Sequence, residues 1–267
     1  MSFIEGLFLG VVQGLTEFLP VSSSGHLILA RHYFNIDEVP LLFDVLLHVA
    51  TLIVIVYHYR KLVGDMIVSF FRFITRKATS EDQVNLDLIV ALIGSTLITV
   101  IFVLLFRKFN IESNSILSVS LLMFVTAALL ATTNLAATRI KKVKKIGYKQ
   151  ILFTGVGQGF GVLAGISRSG ATITSALYSG MERKDAADFA FLLSIPAILG
   201  ALALTLVEEG GTMSVAVVPT VAGFISAFIV GLITLRVLLW MIKSARLWYF
   251  SIYLVLVGSF GLFTYFS

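Results

Sequence analysis

Long apolar runs separated by short polar or basic stretches dominate the chain, with no sustained alternation of apolar and polar positions. Continuous runs predict helices that cross a bilayer, since a span needs about 20 apolar residues at a rise of about 1.5 Å each. A transmembrane barrel would need the alternating pattern instead. Six spans are predicted, over residues 41–58, 86–106, 115–138, 186–207, 213–235 and 248–266. Residues 3–34 and 150–181 are also apolar but are interrupted, by PVSSSGH and by AGISRSGAT.

Lysine and arginine mark the cytoplasmic loops of membrane proteins. The segments YRKLVGDMIVSFFRFITRK and RIKKVKKIGYKQ, and the loop with Lys243 and Arg246, are therefore expected inside, and LVEEGGT, with Glu208 and Glu209, outside. Arg107 and Lys108 are the exception, because their loop must then be external. Counting crossings between these points makes each interrupted segment enter and leave on one side, residues 1–40 from outside and 150–181 from inside. Their halves are short for a span of about 30 Å, which predicts re-entrant hairpins. The opening apolar run has no basic residue before it and no small-residue cleavage site after it, so residues 1–34 are expected to stay in the mature protein.

An internal repeat links the hairpins. GVVQGLTEFLPVSSSGHLI (10–28) aligns without a gap to GVGQGFGVLAGISRSGATI (155–173), with Gly10, Val11, Gln13, Gly14, Ser22, Ser24, Gly25 and Ile28 identical. FDVLLHVATLI (43–53) also resembles FAFLLSIPAIL (189–199). The reading is a single membrane domain of repeats 1–138 and 150–267 joined by a basic loop, 139–149. Each repeat has a hairpin and three spans, so the second starts on the opposite face and the tips can meet near the midplane.

Composition sharpens this picture. The chain is 58% hydrophobic and 13% charged, with a mean hydropathy of +0.98, against roughly 25% charged for a soluble domain. The net charge of +5 sits in loops, a topology signal that argues against nucleic acid as a partner. Cysteine is absent, which excludes disulfides and thiolate metal sites.

Irregular backbone at membrane depth survives only inside protein or beside a watery cavity, so the tips predict a site. Gln13 and Glu17 share one helix face. Pro20 breaks that helix, and Ser22, Ser23 or Ser24 caps the next one, whose first-turn amides near Gly25 suit a phosphate. The second tip repeats the arrangement with Ser167, Ser169, Gly170 and Thr172, and adds Arg168, whose guanidinium can fork onto phosphate oxygens. His26 is a candidate base, and Asp44 and His48, four apart, are candidate supporting residues. Each also has a structural reading: Glu17 pairing with Arg168 to join the halves, His26 as a core histidine, the serines as caps, Gln13 and Gln158 as interhelical hydrogen bonds. Together the set predicts binding of a polyanionic headgroup with a lipid tail, and proton transfer. The competing class is a flippase or anion transporter, which the same repeat architecture could serve.

QGLTEFLPVSSSGH (13–26) and GISRSGATIT (165–174) resemble the undecaprenyl-diphosphatase family, the bacitracin-resistance proteins, and the likeness runs over essentially the whole chain. The resemblance implies hydrolysis of undecaprenyl diphosphate to undecaprenyl phosphate and inorganic phosphate, recycling the cell-wall lipid carrier in the bacterial inner membrane. It implies six spans and two re-entrant hairpins in an inverted repeat, and it allows a homodimer. The acidic motif falls on Gln13 and Glu17, the serine and histidine motif on Ser22, Ser23 and His26, the arginine on Arg168. Catalysis is then expected from Glu17, Ser23, His26 and Arg168, with a divalent cation, Mg²⁺ or Ca²⁺, placed by Glu17. Many members have glutamate at the Gln13 position, which leaves one motif carboxylate here, and proline at the Ala164 position. The nucleophile is either Ser23 with His26 as base, or a water activated by His26.

Overall fold

The computed structural model describes residues 1–36, 39–111, 113–133, 146–208, 215–243 and 246–266. Among them are eleven helices: α1 (Phe3–Thr16), α2 (Ser23–Phe34), α3 (Leu41–His58), α4 (Arg60–Ile74), α5 (Gln83–Lys108), α6 (Ile116–Ala131), α7 (Tyr148–Phe160), α8 (Arg168–Tyr178), α9 (Arg183–Glu208), α10 (Val217–Lys243) and α11 (Tyr249–Phe266). Five of these, α3, α5, α9, α10 and α11, are long and apolar enough to cross a membrane.

Where the local signals are strong, helix limits follow them. Ser2 caps α1 in a reciprocal box with Glu5, and Ser115 caps α6. The span expected at 41–58 is α3, residue for residue. α5 runs past its expected apolar limits at both ends, and α10, which starts at Val217, runs past its expected C-terminal limit. α6 covers 116–131 of the expected 115–138, whose last residues lie outside the described ones, as does most of the 139–149 loop. α4 was not anticipated. Its basic sequence is expected as a cytoplasmic connection, yet Leu62, Val63 and Met66 pack on the core while Phe70, Phe71, Phe73 and Ile74 stay exposed.

The interrupted segments fold as helical hairpins. In the first, Phe8 of α1 meets Phe34 at the end of α2, ring centroids 4.8 Å apart. In the second, Gln150 near the start of α7 donates to the Ser179 carbonyl just past α8 at 2.9 Å. α1 packs along α10, and α7 along α5; under the sequence repeat these are one pairing with the halves exchanged. The first is close enough that a Cβ on Gly10 would lie 2.1 Å from the Gly223 carbonyl oxygen, so only glycine fits there. Gly14, near the end of α1, faces Ala227, Val230 and Gly231 at the middle of α10, so the first tip ends at half the depth of that helix.

Side-chain bonds tie helix ends on each face. Tyr59, just past α3, donates to Asp188 in the first turns of α9 at 2.7 Å. Arg107 at the end of α5 meets Glu208 at the end of α9 at 2.6 Å. That partner offsets the charge of Arg107, one of the basic pair that departed from the loop-charge pattern.

Candidate active site

The two tips touch, and Gln13, Glu17, Ser23, His48 and Arg168, all singled out in the sequence, meet where they do. Ser22 caps α2 and Ser167 caps α8. Each accepts from the amide three residues on: Gly25 to Ser22 at 3.4 Å, Gly170 to Ser167 at 3.1 Å. Ser22 also accepts from the Gly165 amide of the other tip at 2.9 Å. To do so it holds φ at 69°, a region that costs a non-glycine residue of order 1 kcal/mol or more and recurs at functional sites. Gly165 has φ 100°, and a Cβ there would sit 2.5 Å from the Val119 carbonyl oxygen. Ser169 bonds the Leu19 carbonyl at 3.3 Å, and Gly170 brings its backbone against Pro20. Two helix N-termini, each with first-turn amides that lack intrahelical partners, therefore converge on one place.

Glu17 is the centre of the side-chain cluster. One carboxylate oxygen accepts from Arg168 across the tips. The other accepts from Ser23 Oγ at 2.6 Å and from Gln13 Nε2 at 2.9 Å, and lies 3.4 Å from His48 Nε2. Glu17 is buried, and a buried carboxylate survives when its oxygens are paired in this way. His48 Nδ1 lies 2.8 Å from the Asp44 carbonyl. That oxygen can only accept, so Nδ1 carries the hydrogen and the ring turns Nε2 toward Glu17. A proton arriving at Glu17 thus has a ring nitrogen beside it to share it.

His26 is not part of this cluster. Its Nδ1 bonds the Ser22 carbonyl at 2.8 Å, and its Nε2 faces the Tyr253 hydroxyl of α11 at 2.8 Å. The pairing of Ser23 with His26 that the sequence suggested is replaced by Ser23 with Glu17. Asp44 pairs with Arg31 of α2, so it supports His48 through its backbone only. Ser24 is half-buried in the first turn of α2, and the Thr172 hydroxyl is buried without a hydrogen-bond partner. Gln158 mirrors Gln13 but bonds Thr99 at 3.3 Å, away from the carboxylate.

Sequence reasoning missed Arg31, Tyr253 and Thr126, whose hydroxyl accepts from the Ser167 amide at 3.1 Å and bonds the Gly165 carbonyl at 3.0 Å. Arg31 carried a signal, being a cation close to an intramembrane aspartate. Tyr253 and Thr126 lie in ordinary apolar helices and carried none.

Oxygen donors for a hard cation are present beside Glu17. The Gln13 Oε1 is buried with no hydrogen-bond partner, while no group of three acidic or histidine side chains gathers among the described residues.

Residues 6–260 match the family model of the bacitracin resistance protein BacA. The chain is 40% identical over 270 residues to an undecaprenyl-diphosphatase of Treponema denticola, covering 100% of this chain and 98% of that protein. It is 39% identical to one of Desulforapulum autotrophicum, over 97% of this chain and 96% of the relative. A third, from Desulfosudis oleivorans, is 38% identical over 97% of each.

Proposed function

The chain belongs to the bacitracin resistance protein BacA family, a multi-pass membrane protein, and from that membership we propose that it hydrolyses undecaprenyl diphosphate to undecaprenyl phosphate and inorganic phosphate. The observation that carries the chemistry is Glu17, which joins Ser23 of its own tip to Arg168 of the other. We read the hairpins as re-entrant and the halves as an inverted repeat in the bacterial inner membrane. The exchanged pairings of α1 with α10 and α7 with α5 support this, as do the hairpin closures at Phe34 and Ser179.

The diphosphate would lie at the two helix N-termini, its negative charge met by first-turn amides and by Arg168, which would exchange Glu17 for phosphate oxygens. The polyprenyl tail would remain among the helices. Gln13 Oε1, buried without a hydrogen-bond partner, would hold a divalent cation, Mg²⁺ or Ca²⁺, together with substrate phosphates, as such ions often use one or two protein oxygens. When bound, it would neutralise charge on the diphosphate.

Ser23 is the nucleophile in this reading. Its Oγ bonds to the terminal phosphorus, the bond from that phosphorus to the bridging oxygen breaks, and undecaprenyl phosphate leaves. The Ser23 proton passes to Glu17, where His48 Nε2 shares it. A carboxylate suffices as acceptor because phosphoryl transfer has a loose transition state in which the hydroxyl loses its proton late. Water then cleaves the phosphoserine, with His26 as base.

The test is phosphate release from undecaprenyl diphosphate by purified protein in detergent, with tail movement followed in vesicles. Stoichiometric release is expected. Lipid movement without release, with Mg²⁺ or Ca²⁺ present, would make the protein a flippase instead.

A further inference from the structure

The Tyr253 hydroxyl has no part in the family motifs, yet it holds the reactive nitrogen of His26. The Ser22 carbonyl can only accept, so His26 Nδ1 is the donor in their 2.8 Å contact. The neutral ring then has its lone pair on Nε2, and the Tyr253 hydroxyl donates to it at 2.8 Å. The two rings lie parallel within 5°, centroids 5.6 Å apart. The contact is at the depth of the tips, because the next residue, Leu254, packs with Val21 of the first tip and Ala164 of the second. Tyr253 itself is 43% exposed. In this arrangement the phenol hydroxyl stands directly against the lone pair of His26.

We propose that Tyr253 relays the proton of the attacking water to His26. An O–H bond of the water breaks as its proton bonds to Tyr253 Oη. The Tyr253 O–H bond breaks as that proton bonds to His26 Nε2. The hydroxide so formed bonds to phosphorus, the bond from phosphorus to Ser23 Oγ breaks, and Oγ recovers the proton held between Glu17 and His48. Tyrosine ends neutral, histidine ends as imidazolium, and phosphate departs. The relay rests on the hydrolase reading, since a carrier has no water to activate.

Tyr253→Phe keeps the ring and removes only the hydroxyl. Its kcat for phosphate release is expected to fall about 100-fold, the low end for general base catalysis, with KM unchanged. Tyr33→Phe is the control: it removes a hydroxyl from the same α2 to α11 interface, one bonded to Thr264 at 2.6 Å, and should keep wild-type rates. Nitrogen-15 NMR of the wild-type side chain should show His26 with hydrogen on Nδ1 and a hydrogen-bonded Nε2. In Tyr253→Phe the Nε2 signal should move to the position of an unbonded ring nitrogen. Near-wild-type kcat in Tyr253→Phe, an equal loss in Tyr33→Phe, or the opposite tautomer in the wild type would each overturn the relay. A wild type that releases no phosphate would sink the hydrolase reading as well, so the two failures are distinguishable.

Discussion

Ser23 and His26 stand three positions apart in one helix, yet their side chains face different partners. Ser23 gives its hydrogen to Glu17 at 2.6 Å, whereas His26 is held between its own backbone and α11. If Ser23 attacks, rapid acid quenching of a reaction with substrate labelled on its terminal phosphate should trap phosphoserine. Ser23→Ala should lose both the label and turnover, with its melting temperature close to wild type. Turnover in Ser23→Ala near the wild-type rate would assign the attack to water. The residue types of this cluster were legible in the sequence, because charged and hydroxyl groups inside apolar runs are conspicuous. Their pairing was not: from spacing alone Ser23 and His26 look like partners, and only the direction of the His26 ring, fixed by the Ser22 carbonyl, shows otherwise. Tyr253 was illegible for a different reason, since an aromatic in a final apolar helix looks like any lipid-facing tyrosine.

Among the elements, those legible from sequence were the ones set by a single strong signal. An unbroken apolar run placed α3 without error, and the repeated serine caps placed the starts of α2 and α8. α4 escaped because its apolar positions are few and its charges read as a loop. Its junction to α5 is held by Asp82, which accepts from the Thr79 amide at 2.9 Å and from the Ser69 hydroxyl at 2.8 Å. The Thr79 amide first, then Ser69, hold the Asp82 carboxyl at about 2, below its ordinary 3.8. A depressed carboxylate stabilises the fold fully above its ordinary value, and that contribution is lost as the pH falls from 3.8 through about 2. Wild type should therefore lose more melting temperature than Asp82→Asn between pH 5 and pH 2, both limits being rough brackets of that window. Parallel curves for the two proteins would show that the clasp contributes nothing.

At the scale of the whole molecule, the two halves differ where they meet, and the differences make the site. The repeat was visible as matching letters, it brought VSSSGH together with ISRSGA, and the pairing of Glu17 with Arg168 that it suggested is present. That contact follows from the pairings of α1 with α10 and α7 with α5, which carry both tips inward until Ser22 accepts from Gly165. A site of this kind needs both tips, and neither hairpin alone holds the carboxylate, the hydroxyl and the guanidinium. The most direct test is the rate of phosphate release by Arg168→Ala, which removes the second tip's cation and leaves the whole first tip in place. The expected result is a fall of about 100-fold or more in kcat/KM, the scale on which one preorganised charge contributes to such chemistry, in protein whose helical content matches wild type. Wild-type kcat/KM in a folded Arg168→Ala protein would contradict a site built from both halves.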